Sequence, residues 1–201
     1  MSNTLANFPN NGNELHRDIE LAKEIERNLD GMLYYLRRQL NLALSYPELC
    51  VELGIESQKD FIHYSTAFSN FERIGDLDAN IMIEIKEMLE EKMEILWPNL
   101  EYFEDYYKTA HQTVFDALDG RKDRDKRLKV VLGKYTGWKS YDDLFEKRKR
   151  VINWIDQQSV GRVVRHLTRL SDIIWGIPGS ASNICEAWYN MDRKYWKEGK
   201  G

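Results

Sequence analysis

The sequence predicts an all-α protein, a bundle of about seven to nine helices with an acidic N-terminal half and a basic C-terminal half. Three observations predict it. Apolar residues recur with a helical period along nearly the whole chain. Short clusters of Gly, Pro, Ser and Asp punctuate that pattern where helices end and begin. The charge is unevenly divided: residues 1–120 carry 10 Lys and Arg against 23 Asp and Glu, and residues 121–201 carry 19 against 10.

After an Asn-rich flexible tail (1–12), Asn13 caps a long helix with the stripe Leu15, Ile19, Ala22, Ile25, Leu29, Leu33, Leu36, Leu40. Ser45-Tyr46-Pro47 stops it and starts a short second helix ending at Gly54, because proline is favoured in a first turn and keeps its predecessor out of the helical region. Ser57 caps the next helix, which buries Phe61, Tyr64, Phe68 and Phe71 before Gly75 ends it. Asp76 or Asp78 then opens a helix with Met82, Ile85, Leu89, Met93 and Leu96 inward, broken at Trp97-Pro98. A helix over about 99–118 buries Leu100, Phe103, Tyr107, Ala110 and Val114 and closes at Asp119-Gly120.

The basic half opens with RKDRDKRLKVVLGKY, helical to Gly133, and GKYTGWKS forms a loop. Ser140 caps a helix through Gln157, and Ser159 caps another that ends at Gly176-Ile177-Pro178-Gly179. Ser180 or Ser182 caps the last. The chain divides into an acidic helical lobe (13–120) and a basic one (121–201), or folds as one continuous domain.

Composition excludes several classes. The start MSNTLANFPNNGN has neither a basic nor an apolar segment of a signal peptide, and no stretch approaches the roughly 18 uncharged apolar residues of a membrane span. A cytoplasmic protein is therefore expected. Cys50 and Cys185 lie far apart without CxxC spacing and sit among apolar neighbours, as small core residues do. There is no P-loop, no GxGxxG after a strand, no GxSxG elbow and no HExxH. No cofactor and no metal are expected, and no residue is assigned as catalytic.

The charged stretches carry the functional reading. In the helix from 159 to 175, Val163, Val164, Leu167, Leu170 and Ile174 define the buried side, and at about 100° per residue Arg162, Arg165 and Arg169 fall together opposite it. Arginines at i, i+3 and i+7 span about 10 Å, the reach of successive phosphates, and the guanidinium fork suits phosphate oxygens. No acid occurs between Asp156 and Asp172, and the preceding helix adds Lys147, Arg148, Lys149 and Arg150. Further upstream stand Lys122, Arg124, Lys126, Arg127 and Lys129. Five of the six tryptophans lie in this half, and exposed rings beside cations form single-strand grooves; Trp138 and Trp196 are the expected exposed rings, while Trp188 reads as core. Contact with the phosphates of RNA or DNA, within a larger complex, is the first expectation.

A second expectation uses the acidic stripe Glu84, Glu87, Glu91, Glu94, continued by Glu101, Glu104 and Asp105, as a surface for a charged protein partner or as a mimic of nucleic-acid charge. Self-association of the acidic half with the basic half belongs with it. With Met82, Ile85 and Leu89 inward, the first four glutamates project into solvent. Their ExxE spacing resembles that of helical nucleotide pyrophosphohydrolases of the MazG type, which would imply Mg²⁺-dependent phosphate chemistry at inward-facing carboxylates.

The four histidines, His16, His63, His111 and His166, are scattered over different helices. Arg162-x-x-x-His166 resembles the Arg-x4-6-His of HEPN ribonucleases but is one residue shorter, which implies a third expectation, ribonuclease or nucleotide-hydrolase activity dependent on His166 or Glu84. The stretch from Tyr46 to Asn70 has the outline of a helix-turn-helix, yet its second helix is aromatic and nearly free of cations, unlike a recognition helix.

Overall fold

The computed structural model describes residues 12–52, 55, 57–91, 100–120, 139–158 and 161–197. Its elements are α1 (Gly12–Ala43), α2 (Pro47–Glu52), α3 (Gln58–Glu90), α4 (Leu100–Gly120), α5 (Lys139–Ile155) and α6 (Gly161–Lys197). The protein is all-α, and no strand occurs among the described residues.

Among the described residues there are six helices, against the seven to nine expected over the whole chain, and two expected breaks are absent. Gly75 lies inside α3 and Gly176 inside α6. A helical glycine costs about 1 kcal/mol relative to alanine, and in both places the missing side chain admits a neighbour. A Cβ at Gly75 would lie 2.6 Å from Leu29 Cδ2, and one at Gly176 would lie 3.0 and 3.2 Å from the two methyls of Leu77. These glycines serve close helix approach. Pro178 also lies within α6 and costs the helix one backbone hydrogen bond. Ile177, Ala181 and Ile184 around it are completely buried, so packing outweighs the local penalty. The expected break at Trp97-Pro98 and the expected helix up to Gly133 lie outside the described residues.

Helix α3 starts where its sequence says. Ser57 is extended (φ −154°, ψ 164°) as an N-cap, and its backbone N–H donates to Asp60 Oδ2 at 2.9 Å. That bond belongs to a capping box, in which Asp60 has a structural role.

Helix α6 is the hub, packing along α3, α4 and α5, while α3 also carries α1 and α2 touches α1. One core cluster draws on all five long helices, from Ile19 through Ile81, Phe103, Tyr106 and Leu144 to Leu167 and Ile184. Residues on both sides of position 120 therefore share a core. Each fully buried Leu or Ile contributes about 1.5–3 kcal/mol of apolar burial. Trp154 and Trp188 are core residues at 3% and 5% exposure; Trp154 meets Phe103 edge-on with centroids 5.7 Å apart. Cys185 is buried and Cys50 half-buried, its thiol donating to the Ala43 carbonyl at 2.8 Å. No described helix is long and apolar enough to cross a membrane.

Candidate functional site: a charged seam between α3 and α6

Glutamates at 84, 87 and 91 repeat along α3 with the same i, i+3, i+7 spacing as arginines at 162, 165 and 169 along α6, and the fold lays the two helices side by side. Arg162 Nη1 lies 3.6 Å from Glu91 Oε2. Arg169 Nη1 lies 3.5 Å from Glu84 Oε2 and 3.8 Å from Glu87 Oε2. Rising numbers on α3 meet falling numbers on α6, so the helices run antiparallel here and three acids share two arginines.

Beneath them is a tighter contact. His166 Nδ1 is 2.6 Å from Glu84 Oε1, and the two side chains are only 2% and 3% exposed. Arg165 Nη2 lies 3.3 Å from the other ring nitrogen, Nε2. A guanidinium only donates, so Nε2 is the acceptor and the proton sits on Nδ1, donating to the Glu84 carboxylate. Glu84 thereby fixes the tautomer and the ring plane, and presents the basic nitrogen of His166 toward the arginines. Glu91 Oε1 stands 3.7 Å from the same nitrogen.

This arrangement corrects the expected projection of Glu84 into solvent. Glu84 is buried, at 2%. Projecting a helix against one inward stripe assumes one neighbour, whereas α3 has two: α1 covers one flank and α6 the other. The buried residues Ile81, Met82, Ile85 and Met88 describe a wider arc than Met82, Ile85 and Leu89 alone, and Glu84 falls at its α6 edge. His166 is buried as well. The arginines are on the outer side, Arg162 at 72% and Arg169 at 59% exposure, with Arg165 also exposed.

The other basic residues separate into two groups. Lys147 Nζ is committed to Asp105 at 3.0 Å, Thr109 at 2.7 Å and Asp143 at 3.3 Å, joining α5 to α4. Arg148 donates to Asp172 at 2.7 Å and lies 4.6 Å from the Trp175 ring centre, joining α5 to α6. These two cations are structural ties, whereas Lys149 and Arg150 are exposed. Arg124, Arg127, Trp138 and Glu94 lie outside the described residues, as does the side chain of Trp196. Of the remaining acids, Glu101 is exposed and Glu104 is bonded to Lys108 at 2.6 Å.

Glu84, Glu87 and His166 offer three donor atoms within 4.8 Å of one another, a spacing a metal ion would accept. Arg169, however, already bridges the two carboxylates, and three arginines balance the three acids. A divalent ion would have to displace a cation from a neutral cluster.

A second histidine–carboxylate contact lies elsewhere on α3. Asp78 Oδ1 is 2.8 Å from His111 Nε2 and accepts the Tyr107 hydroxyl at 3.2 Å. Burial, then the Asp78 charge, pushes the Tyr107 hydroxyl well above its ordinary pKa, so it remains a donor. Sequence reading treats these histidines singly and misses both pairings; for the α3/α6 seam, matched spacing of opposite charges was the available signal.

No protein-family model, curated protein or solved structure matches this chain.

Proposed function

We propose that this protein binds the phosphate backbone of a nucleic acid along the outer face of α6. One observation carries the reading: Arg162 and Arg169 remain mostly exposed and meet their glutamates only at 3.5–3.8 Å. Those separations exceed a good charge-assisted hydrogen bond, about 2.7–2.9 Å. Phosphate oxygens offering shorter, bidentate contacts can therefore draw the guanidinium groups outward. The exposed Lys149 and Arg150 widen the field, and Arg124, Arg127 and Trp138 belong to the same basic half. Glu87 and Glu91 compete with phosphate for the arginines, which favours a dense, multivalent anion over an isolated one. Partner proteins contacting Glu101 and Glu104 fit the same scheme within a larger complex.

The test is fluorescence anisotropy of labelled single- and double-stranded RNA and DNA across a salt series. If about five phosphates are engaged, affinity for a single strand falls about a hundredfold between roughly 50 and 200 mM salt. An Arg162→Gln, Arg165→Gln variant, which spares the Arg169–Glu84 contact, binds at least tenfold more weakly. Salt-independent binding, or none at low salt, refutes the reading.

The Glu84–His166 bond favours a second reading, cleavage of RNA. With its proton on Nδ1, His166 holds a lone pair at Nε2. If Arg165 turned to a phosphate and uncovered this buried ring, that nitrogen would accept the 2′-hydroxyl proton as the 2′-oxygen attacks phosphorus and the 5′-oxygen leaves, protonated by water. Incubation of a labelled RNA in chelator, with wild type and a folded His166→Asn variant, tests it. Metal-independent cleavage lost in the variant supports it, and intact RNA refutes it while leaving binding unaffected.

A further inference from the structure

We propose that the groove between α1 and α3 binds a small apolar molecule carrying a protonated amine. The groove encloses about 420 Å³, within the range of small-molecule sites. Ala22, Leu29, Phe71, Ile74 and Met82 line it. Leu21 and Ile25, also in its lining, are 52% and 59% exposed, so apolar side chains stand in water at its mouth. Gly75 contributes to its depth, since the absent Cβ lets Leu29 lie against α3.

The polar lining selects the sign of the ligand. Asp18, Glu26 and Asp78 contribute carboxylates and Tyr107 a hydroxyl, and none of the lining residues is Lys, Arg or His. Both hydrogen bonds to Asp78, from Tyr107 and His111, fall on Oδ1, and its Oδ2 takes no partner among the described residues. Burial, then the charges of Asp30 and Asp76, holds the Glu26 carboxyl above the usual range. An ammonium here meets carboxylates and the faces of Phe71 and Tyr107, which also attract cations. A fatty acid would meet carboxylates and no lining cation.

Three probes of matched shape separate charge from hydrophobicity: phenylbutylamine, phenylbutanol and phenylbutyrate, titrated calorimetrically into the full chain. The amine is expected to bind about tenfold more tightly than the alcohol, and the carboxylate not measurably. Asp78→Asn, which retains acceptors for Tyr107 and His111, lowers amine affinity about tenfold toward that of the alcohol. Ala22→Phe fills the lining and abolishes binding of both, with circular dichroism confirming that each variant is folded. Absence of amine binding to wild type, equal binding of amine and carboxylate, or amine binding unchanged by Ala22→Phe overturns the proposal.

Discussion

Helix α3 has two long seams of opposite character. Against α6 it is closed: three glutamates meet Arg162 and Arg169, a histidine is buried on a carboxylate, and Leu77 fills the space above Gly176. Against α1 it is partly open, with a groove of about 420 Å³ and apolar side chains at its mouth. The contrast shows that charge in this chain is not simply surface. Paired charges complete the tight seam, and the open one is lined by apolar residues with carboxylates among them.

The largest effect expected from breaking that contrast is at the buried pair. His166→Leu leaves the Glu84 carboxylate buried without its hydrogen-bond donor and should cost about 3–5 kcal/mol in urea unfolding. The double replacement Glu84→Met, His166→Leu should recover most of that loss, since a buried pair exchanged for apolar side chains is often near neutral. If the double variant is as unstable as the single one, the pair is not coupled as described.

A smaller effect compares the two glycines. Alanine gains about 1 kcal/mol of helix propensity at either. At Gly75 its Cβ meets only the tip of Leu29, which has the groove to turn into, so Gly75→Ala should be neutral or stabilising. At Gly176 it presses on both methyls of Leu77, and the strain of overpacking, about 1–3 kcal/mol, makes Gly176→Ala destabilising. Equal shifts in thermal unfolding would contradict the difference between the seams.

The smallest is electrostatic. Burial first, then the charges of Asp30 and Glu72, raises the Asp76 carboxyl above its ordinary pKa. A raised carboxyl favours folding only while protonated, so its contribution is lost as pH rises through the folded value. Asp76→Asn should therefore raise the Tm at neutral pH, and the difference should close below about pH 4.

Much of the fold was legible because helical periodicity and capping chemistry are local. Ser57 and the stripe Val163, Leu167, Leu170 and Ile174 follow from sequence spacing alone. Gly75 and Gly176 were misleading because a glycine that ends a helix and one that admits a neighbour look alike until the neighbour is known. The same reason hid the candidate site. The exposure of Arg162, Arg165 and Arg169 follows from their own helix, but the burial of Glu84 depends on α6, which lies more than seventy residues away in sequence. Two charged stripes that read as separate surfaces instead face each other.

The central claim is that Glu87 and Glu91 hold arginines that a nucleic-acid phosphate can take over. The most direct measurement is the affinity of wild type and a Glu87→Gln, Glu91→Gln variant for one labelled single-stranded RNA at fixed low salt. Both acids are partly exposed, at 45% and 35%, so the variant should fold normally. The account predicts that removing the competing charges tightens binding several-fold. Unchanged or weaker binding by the folded variant would contradict it, and the arginines of α6 would then be partners of α3 alone.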